Sequence, residues 1–517
     1  MRRIGIDVGG TNTDAVLIED GKVITSLKVP TSEDVTTGIL QALARLGVSG
    51  RLFDKAVDGV MIGTTHFINA VVQRRNLSRV AALRLGMPAC ASLPPFCDWP
   101  TDLAELVRGG VWMVEGGHEY DGRPFVPLDE DAVRKAAQEM RALGLTSVAI
   151  SGIFSPLDSG HERQAAAIIA EEIPDAVITC SSELGRIGLL ERENAGLLNA
   201  ALTDLARSTI LAFERAIRES RIDAPLFITQ NDGTVVEAEQ AMKLPVYSFA
   251  SGATNSMRGA AYLSGLDDAM VADVGGTTTD IGQLRHGFPR EANSVVQIGG
   301  VRTLFRMPDL VSFGLGGGSH VSLDPLKVGP QSVGYRLMSE GLAFGGSQLT
   351  VTDVAIAAGE LELGDKGRLA HLDPETCARV FGEAKRMVEE TVDRMKTEAG
   401  DVPLLAVGGG AFIIPDQLQG VSDVIRVPHG DCANAVGAAI AQVSGECDQI
   451  FRDLTRLDAI SAANTIAADR AVAAGADRAT LKTIETEDMP IAYLPGNSLR
   501  VRVRVVGDVA SGSRAVN

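Results

Sequence analysis

The sequence predicts a two-lobed α/β fold organised by a duplicated Asp-x-Gly-Gly-Thr hairpin. Three observations carry that expectation. Residues 7–14 read Asp-Val-Gly-Gly-Thr-Asn-Thr-Asp and residues 273–280 read Asp-Val-Gly-Gly-Thr-Thr-Thr-Asp, a match at seven of eight positions. Each copy lies between apolar runs: Arg3-Ile4-Gly5-Ile6 and Ala15-Val16-Leu17-Ile18 flank the first, Ala269-Met270-Val271-Ala272 and Ile281-Gly282-Gln283-Leu284 the second. Each therefore reads as strand, tight turn, strand. Around them, runs such as Val60-Met61-Ile62, Val80-Ala81-Ala82-Leu83 and Val148-Ala149-Ile150 alternate with helical patterns, the order of an α/β chain.

Taken in order, residues 1–185 form the expected N-terminal lobe. It includes a helix from Glu130 to Leu143 opened by Asp129 as N-cap, and a proline-rich loop from Leu93 to Pro100. Residues 186–222 form a linking helix, because Leu197, Leu198, Ala201 and Leu205 recur at helical spacing between Glu191 and Glu219. Residues 223–447 form the second lobe, with the second hairpin and an amphipathic helix from Glu383 to Glu398. In it the apolar strand Leu404–Val407 runs into Gly408-Gly409-Gly410, and a small-residue helix runs from Asn434 to Ala441. Residues 448–517 form an appendage: an Ala-rich helix over 462–474, then a period-two strand, Leu499–Val505, with Arg500, Arg502 and Arg504 on one face. That face suits either the solvent side of a half-buried strand or the cover of an acidic partner.

The hairpins have a chemical logic. Paired glycines let a turn bring its N–H groups close to an anion. Gly9, Gly10, Gly275 and Gly276 meet that need, and Thr11, Asn12, Thr277 and Thr278 add donors at the same edge. Asp7 and Asp273, at the ends of the first strands, are expected to anchor Mg²⁺ or to act as bases. Asp14 and Asp280 close the hairpins and either cap their turns or join the catalysis. A plain β-turn explains one such hairpin; two copies facing each other hold the phosphate tail of a nucleotide. Gly408, Gly409 and Gly410, without Cβ atoms, suit a flat base and so are expected to border adenosine. The helix after Asn434 joins them there or is a close crossing in the core. Neither a P-loop nor a dinucleotide fingerprint occurs.

Composition excludes other classes. The 517 residues carry 48 Lys+Arg against 66 Asp+Glu, a net charge of −18, without the basic runs that nucleic-acid binding needs. No apolar stretch approaches the ~18 residues of a membrane span. The start lacks the apolar core of an export signal, and the 6 Cys and 7 His are scattered without metal-ligand spacing. The expected location is cytoplasmic.

Two such hairpins, a strand ending in three glycines and a small-residue helix together resemble the actin, sugar-kinase and Hsp70 superfamily of ATP-binding proteins. Within it, the chain resembles the ATP-dependent hydantoinase A and 5-oxoprolinase family. Gly63-Thr64-Thr65-His66-Phe67-Ile68-Asn69-Ala70 resembles the family's GTT…NAL segment, and Ser251-Gly252-Ala253-Thr254 to Gly259-Ala260-Ala261 its SGPAAG…GA segment. Gly314-Leu315-Gly316-Gly317-Gly318-Ser319 resembles a GAGGGS loop. Val328-Gly329-Pro330-Gln331-Ser332-Val333-Gly334 with Thr350-Val351-Thr352-Asp353 resembles the GPxSAG…TVTDA block. The likeness runs from residue 4 to about 445. Two stretches depart: Ala253 stands where the family has Pro, and Tyr335–Gly341 replaces DPGPACYG.

The resemblance implies an actin-like (ribonuclease H-like) ATPase fold, with ATP and Mg²⁺ as cofactors. It implies a hydrolase that activates a cyclic amide or imide by phosphoryl transfer, an oligomeric assembly and a hydantoinase B-type partner subunit. If that fold holds, His66 faces the interlobe cleft at a helix N-terminus, where a neutral imidazole serves catalysis or merely caps. His320 and Arg302 are weaker candidates. A small-molecule kinase and an ATPase activator of another enzyme are the competing readings, since the phosphate site is common to all three.

Overall fold

The structure, a computed structural model, describes residues 1–9, 12–30, 35–49, 55–184, 187–292, 295–491 and 497–510. Its first sheet grows around Arg2–Val8, which is buried along its whole length. This strand pairs antiparallel with Asn12–Glu19 and parallel with Gly59–Thr64. The sheet has nine strands. From one edge they run Lys22–Pro30, Asn12–Glu19, Arg2–Val8, Gly59–Thr64, Leu226–Thr229, Thr234–Glu237, Gln442–Phe451, Leu499–Gly507 and Lys482–Pro490. Its strands thus come from the start, the middle and the end of the chain.

The second sheet repeats the first one's central pattern. Ala269–Val274 pairs antiparallel with Thr279–Arg285 and parallel with Val402–Val407, which pairs with Val421–Arg426. A third sheet is all parallel, in the order Arg108–Glu115, Val80–Met87, Ser147–Gly152, Val177–Cys180. Its central strands are apolar runs, as expected where both faces are covered. The fold is the two-lobed α/β architecture that the repeat predicts.

Helices follow their caps. Glu130–Ala142 begins where the Asp129 carboxylate accepts the Ala132 N–H at 2.9 Å. Leu189–Glu219 has 31 residues, about 46 Å at the helical rise. The helix expected from Glu383 starts earlier, at Pro374, because Asp373 caps it and Pro374 occupies the first turn; it ends at Met395. Arg456–Ala473 buries Ala459, Ala463, Ala467 and Ala471 at four-residue spacing, one small-residue stripe against the sheet.

Two short-side-chain helices, Ser251–Ser264 and Ala433–Ile440, cross in direct backbone contact. A Cβ on Gly259 would collide with the Ala433 carbonyl, and one on Gly437 with the Asn255 carbonyl. Only glycine permits this approach. The crossing lies between the two hairpin sheets and sets their spacing.

The arginine face of Leu499–Gly507 is not on the surface. The strand is interior to the nine-stranded sheet and buried on both faces. Arg502 Nη2 lies 2.7 Å from Glu291 and its Nε 2.9 Å from Glu446; Arg504 Nη1 lies 3.2 Å from Asp232 and 3.1 Å from Glu291. The acidic groups this face covers belong to the chain itself. No helix among the described residues is long and apolar enough to cross a membrane.

Candidate functional site

Both hairpins place their carboxylates identically. Asp7 is opposite Asp14, and Asp273 is opposite Asp280, one residue before each turn. The turns close alike: Gly9 N–H donates to the Asn12 carbonyl at 3.0 Å, and Gly275 N–H to the Thr278 carbonyl at 2.9 Å. Gly10 and Thr11 lie outside the described residues. Thr277 and Thr278 are exposed, and nothing lies within 4 Å of the side-chain direction of Gly276 or Gly409.

The second turn is held from behind. Successive carbonyls of Val274, Gly275 and Gly276 accept the N–H groups of Gly410, Gly317 and Gly318 at 2.7, 3.1 and 2.7 Å. The carbonyls are thereby occupied away from the turn's open side, while the N–H groups of Gly276 and Thr277 bond to no described residue. Gly408, at φ +85°, passes so close to Asp273 that a Cβ there would strike its carboxylate.

The block Thr350–Asp353 explains how this backing stays in place. Thr350 and Asp353 form a capping box, and Thr352 N–H and Oγ1 both donate to the Gly317 carbonyl, at 2.9 and 2.8 Å. Ser332 Oγ donates to the Gly276 carbonyl at 3.2 Å. These residues buttress the second hairpin turn from behind.

The first carboxylate has different neighbours. Asn434, in the first turn of Ala433–Ile440, donates its amide to Asp7 Oδ2 at 3.0 Å and to Asp14 Oδ2 at 2.8 Å. Lys28 Nζ pairs with Asp14 Oδ1. Gly252, in the first turn of the other crossing helix, faces Asp7, whose Oδ1 a Cβ there would meet at 3.8 Å, and Ser251 Oγ exchanges hydrogen bonds with the Thr64 backbone. Gly63, opposite Asp7, has no room for a side chain: its Cβ would sit 2.5 Å from Asp7 Oδ1 and from Asn255 Nδ2.

Burial and the Asp14 charge, opposed by the Asn434 hydrogen bond and aided by Asp273, push the Asp7 carboxyl up to about 7. Burial raises Asp273 as well, with a Ser256 hydrogen bond opposing. Burial, opposed by Ser312, takes Asp280 up to about 6. Asp14 is raised by burial in spite of Lys28.

His66 begins the helix His66–Gln73 at the end of the strand beside Asp7. Its Nδ1 pairs with Thr64 Oγ1 at 2.9 Å, and its Nε2 has no partner among the described residues. Burial lowers its basicity, which favours the neutral ring. His320 pairs with Thr350 in an isolated bridge beside the capping box, and Arg302 forms a surface ion pair with Glu191.

Thus Asp7, Asp273 and the glycine turns converge across the helix crossing, with His66 on the same sheet edge. Lys28, Asn255, Ser256 and Asn434 complete the site, and sequence reasoning had not placed their side chains. The one signal for Asn434 is a lone amide at the head of a small-residue helix; Lys28 carries none.

Among the described residues no cage of three or more metal-ligating side chains forms. Asp7 Oδ1, however, is buried without a hydrogen-bond partner. An orphaned carboxylate oxygen beside a glycine turn fits a hydrated Mg²⁺, which Asp7 and Asp273 would hold.

The chain matches the hydantoinase/oxoprolinase N-terminal region over residues 3–173 and the hydantoinase/oxoprolinase region over residues 192–383. It is 27% identical over 399 residues to caprolactamase subunit alpha of Pseudomonas jessenii, covering 69% of this chain and 54% of that one. It is 26% identical over 394 residues to the acetophenone carboxylase gamma subunit of Aromatoleum aromaticum, covering 69% and 53%. The chain spans about half the length of these curated relatives. The crystal structure of the ATP-dependent caprolactamase from Pseudomonas jessenii shares its fold, with a TM-score of 0.78 at 20% identity over 98% of this chain and 88% of that one.

Proposed function

The chain belongs to the hydantoinase/oxoprolinase family, and on that premise we propose that it is the ATP-using subunit of a hydrolase that opens a cyclic amide or imide. One observation carries the reading: two turns of identical register, each with a carboxylate at its base, the buried one, Asp7, pushed up to about 7. A group that titrates near neutrality can both take and release a proton there.

An amide carbonyl is a poor electrophile. In the proposed reaction its oxygen attacks the γ-phosphorus of ATP, the bond to ADP breaks, and the N–H proton passes to Asp7. Water then adds to the O-phosphorylated carbon, the ring C–N bond breaks as the nitrogen takes up a proton and leaves as the amine, and a second water cleaves the resulting acyl phosphate to the acid and free phosphate. The turn N–H groups of Gly276 and Thr277 orient the phosphates, and Thr277 and Thr278 add hydroxyl donors. Gly9, Gly10, Thr11 and Asn12 do the same from the first hairpin. Gly408, Gly409 and Gly410 border the adenosine. Mg²⁺, where bound, neutralises phosphate charge. His66 Nε2, which has no partner among the described residues, holds the substrate's ring.

A hydantoinase B-type partner completes hydrolysis. Its requirement follows the relatives, which are named as subunits. Incubation with ATP, Mg²⁺ and a panel of lactams, hydantoins and 5-oxoproline, with and without co-purified partner, tests this by product analysis. Ring-opened acid with ADP is expected. A stable phosphorylated metabolite would identify a kinase instead, and ADP release dependent only on a protein partner an activator. Ketones belong in the panel because one relative is a carboxylase subunit.

A further inference from the structure

The parallel four-stranded sheet has a carboxyl edge of its own, and a cavity of 1290 Å³ opens there. Three strands send their following loops into its wall: 120–122 after Arg108–Glu115, 156–158 after Ser147–Gly152, and 182–184 after Val177–Cys180. The carboxyl ends of parallel strands are where α/β sheets leave room for ligands. No residue of either phosphate hairpin lines this cavity.

Its charges are sorted. Arg306 and Arg502 are consumed by Asp232 and Glu446, and Arg500 by Asp448. Arg452 and Arg470, on the wall built by the C-terminal region, form no ion pair with described residues. Each gives one N–H to a carbonyl, of Asp121 at 3.2 Å and of Glu446 at 2.6 Å, and keeps its other donors. Also on the lining, Glu183 has no ion pair among the described residues, and Asp158 accepts the Gly160 N–H at 2.7 Å and lies 3.7 Å from the His118 ring. The lining also includes Tyr247 and Phe305, stacked edge to face at 6.2 Å.

We propose that this cavity is a second small-molecule site, for an ω-amino acid: carboxylate at Arg452 and Arg470, ammonium at Glu183 and Asp158, methylene chain over Tyr247 and Phe305. Such a zwitterion is the open form of a lactam. The choice of an ω-amino acid among zwitterions rests on the ring-opening reading, whereas the charge pattern rests on the cavity alone.

Calorimetry on the full chain without nucleotide tests it, with 6-aminohexanoate, hexanoate, hexylamine and caprolactam as probes. 6-Aminohexanoate is expected to saturate one site, with each singly charged or neutral analogue at least about tenfold weaker. Arg452→Ala and Glu183→Gln should each weaken it by about tenfold or more, and their shared loss of affinity for one zwitterion separates recognition from misfolding when their melting temperatures match the parent. Asp7→Asn should bind it normally. Equal binding of hexanoate, retention in both cavity variants, or no binding up to about 10 mM would overturn the proposal. Loss of ATP turnover with binding intact would count against the ring-opening reading alone.

Discussion

In the first hairpin, the carboxylate pair Asp7–Asp14 is met by Lys28 and by one amide, Asn434, that bonds both members. In the second, Asp273–Asp280 forms no ion pair among the described residues, feels the Lys28 charge only at Asp273, and is met by the hydroxyls of Ser256 and Ser312. The second turn is instead braced at the backbone, where Gly317, Gly318 and Gly410 hold three consecutive carbonyls. Duplication therefore preserved the strand register and diversified what touches it. The first hairpin is tuned by side-chain charge, and the second by backbone packing. That division suits a site in which one turn handles a proton and the other fixes a phosphate chain.

The largest expected effect separates the two carboxylates. Asp7→Asn and Asp273→Asn should each lower ATP turnover by about 100- to 1000-fold. Steady-state kinetics should place the Asp7 loss mainly in kcat and the Asp273 loss in both kcat and the KM for ATP. A variant keeping full turnover would break the assignment of that hairpin.

The glycines facing each carboxylate come next. Gly63→Ala puts a methyl 2.5 Å from Asp7 Oδ1, and Gly408→Ala drives one into Asp273 while also straining a backbone at φ +85°. Each should cost about 1–3 kcal/mol in urea unfolding and about tenfold in kcat/KM. If Gly408→Ala lowered stability but left ATP affinity unchanged, the backbone brace would have no role in binding.

Smaller and asymmetric losses should follow from the closing residues. Lys28→Met leaves Asp14 buried without its cation and should cost about 2 kcal/mol by urea titration. Ser312→Ala removes one hydroxyl from Asp280 and should cost about 1 kcal/mol. Equal losses would mean that the charge on Lys28 is incidental.

The local half of this comparison was readable from sequence. Strand, turn and closing aspartate lie within eight residues, so the matching segments at 7–14 and 273–280 are sufficient to predict both hairpins and their register. The remainder is non-local. Asn434 reaches Asp7 across 427 positions, and Lys28 meets Asp14 only because the third strand folds back beside the second. A period-two run also reports which side chains share a face, not what covers it. Arg502 and Arg504 therefore looked like a surface until the loops bearing Asp232 and Glu291 closed over them.

The smallest effect is the dependence of stability on pH without nucleotide. Asp7 rises to about 7 and Asp280 to about 6 in the folded chain, against 3.8 for an ordinary aspartate. The folded state therefore binds protons that the unfolded chain has already released, so the stabilisation is complete at low pH and lost as pH rises through the folded values. Melting temperature in EDTA should fall by a few degrees between pH 5 and pH 8, after allowing for acid loss elsewhere. Asp280→Asn should flatten the lower part of that fall, near pH 6, and Asp7→Asn the upper part, near pH 7. Asp7→Asn should also make the inactive protein more stable than the parent at pH 8, by on the order of 1 kcal/mol. A flat profile, or one left unchanged by both substitutions, would mean that neither hairpin stores its ionisation cost in the fold, and the contrast between a charged and a packed turn would then rest on geometry alone.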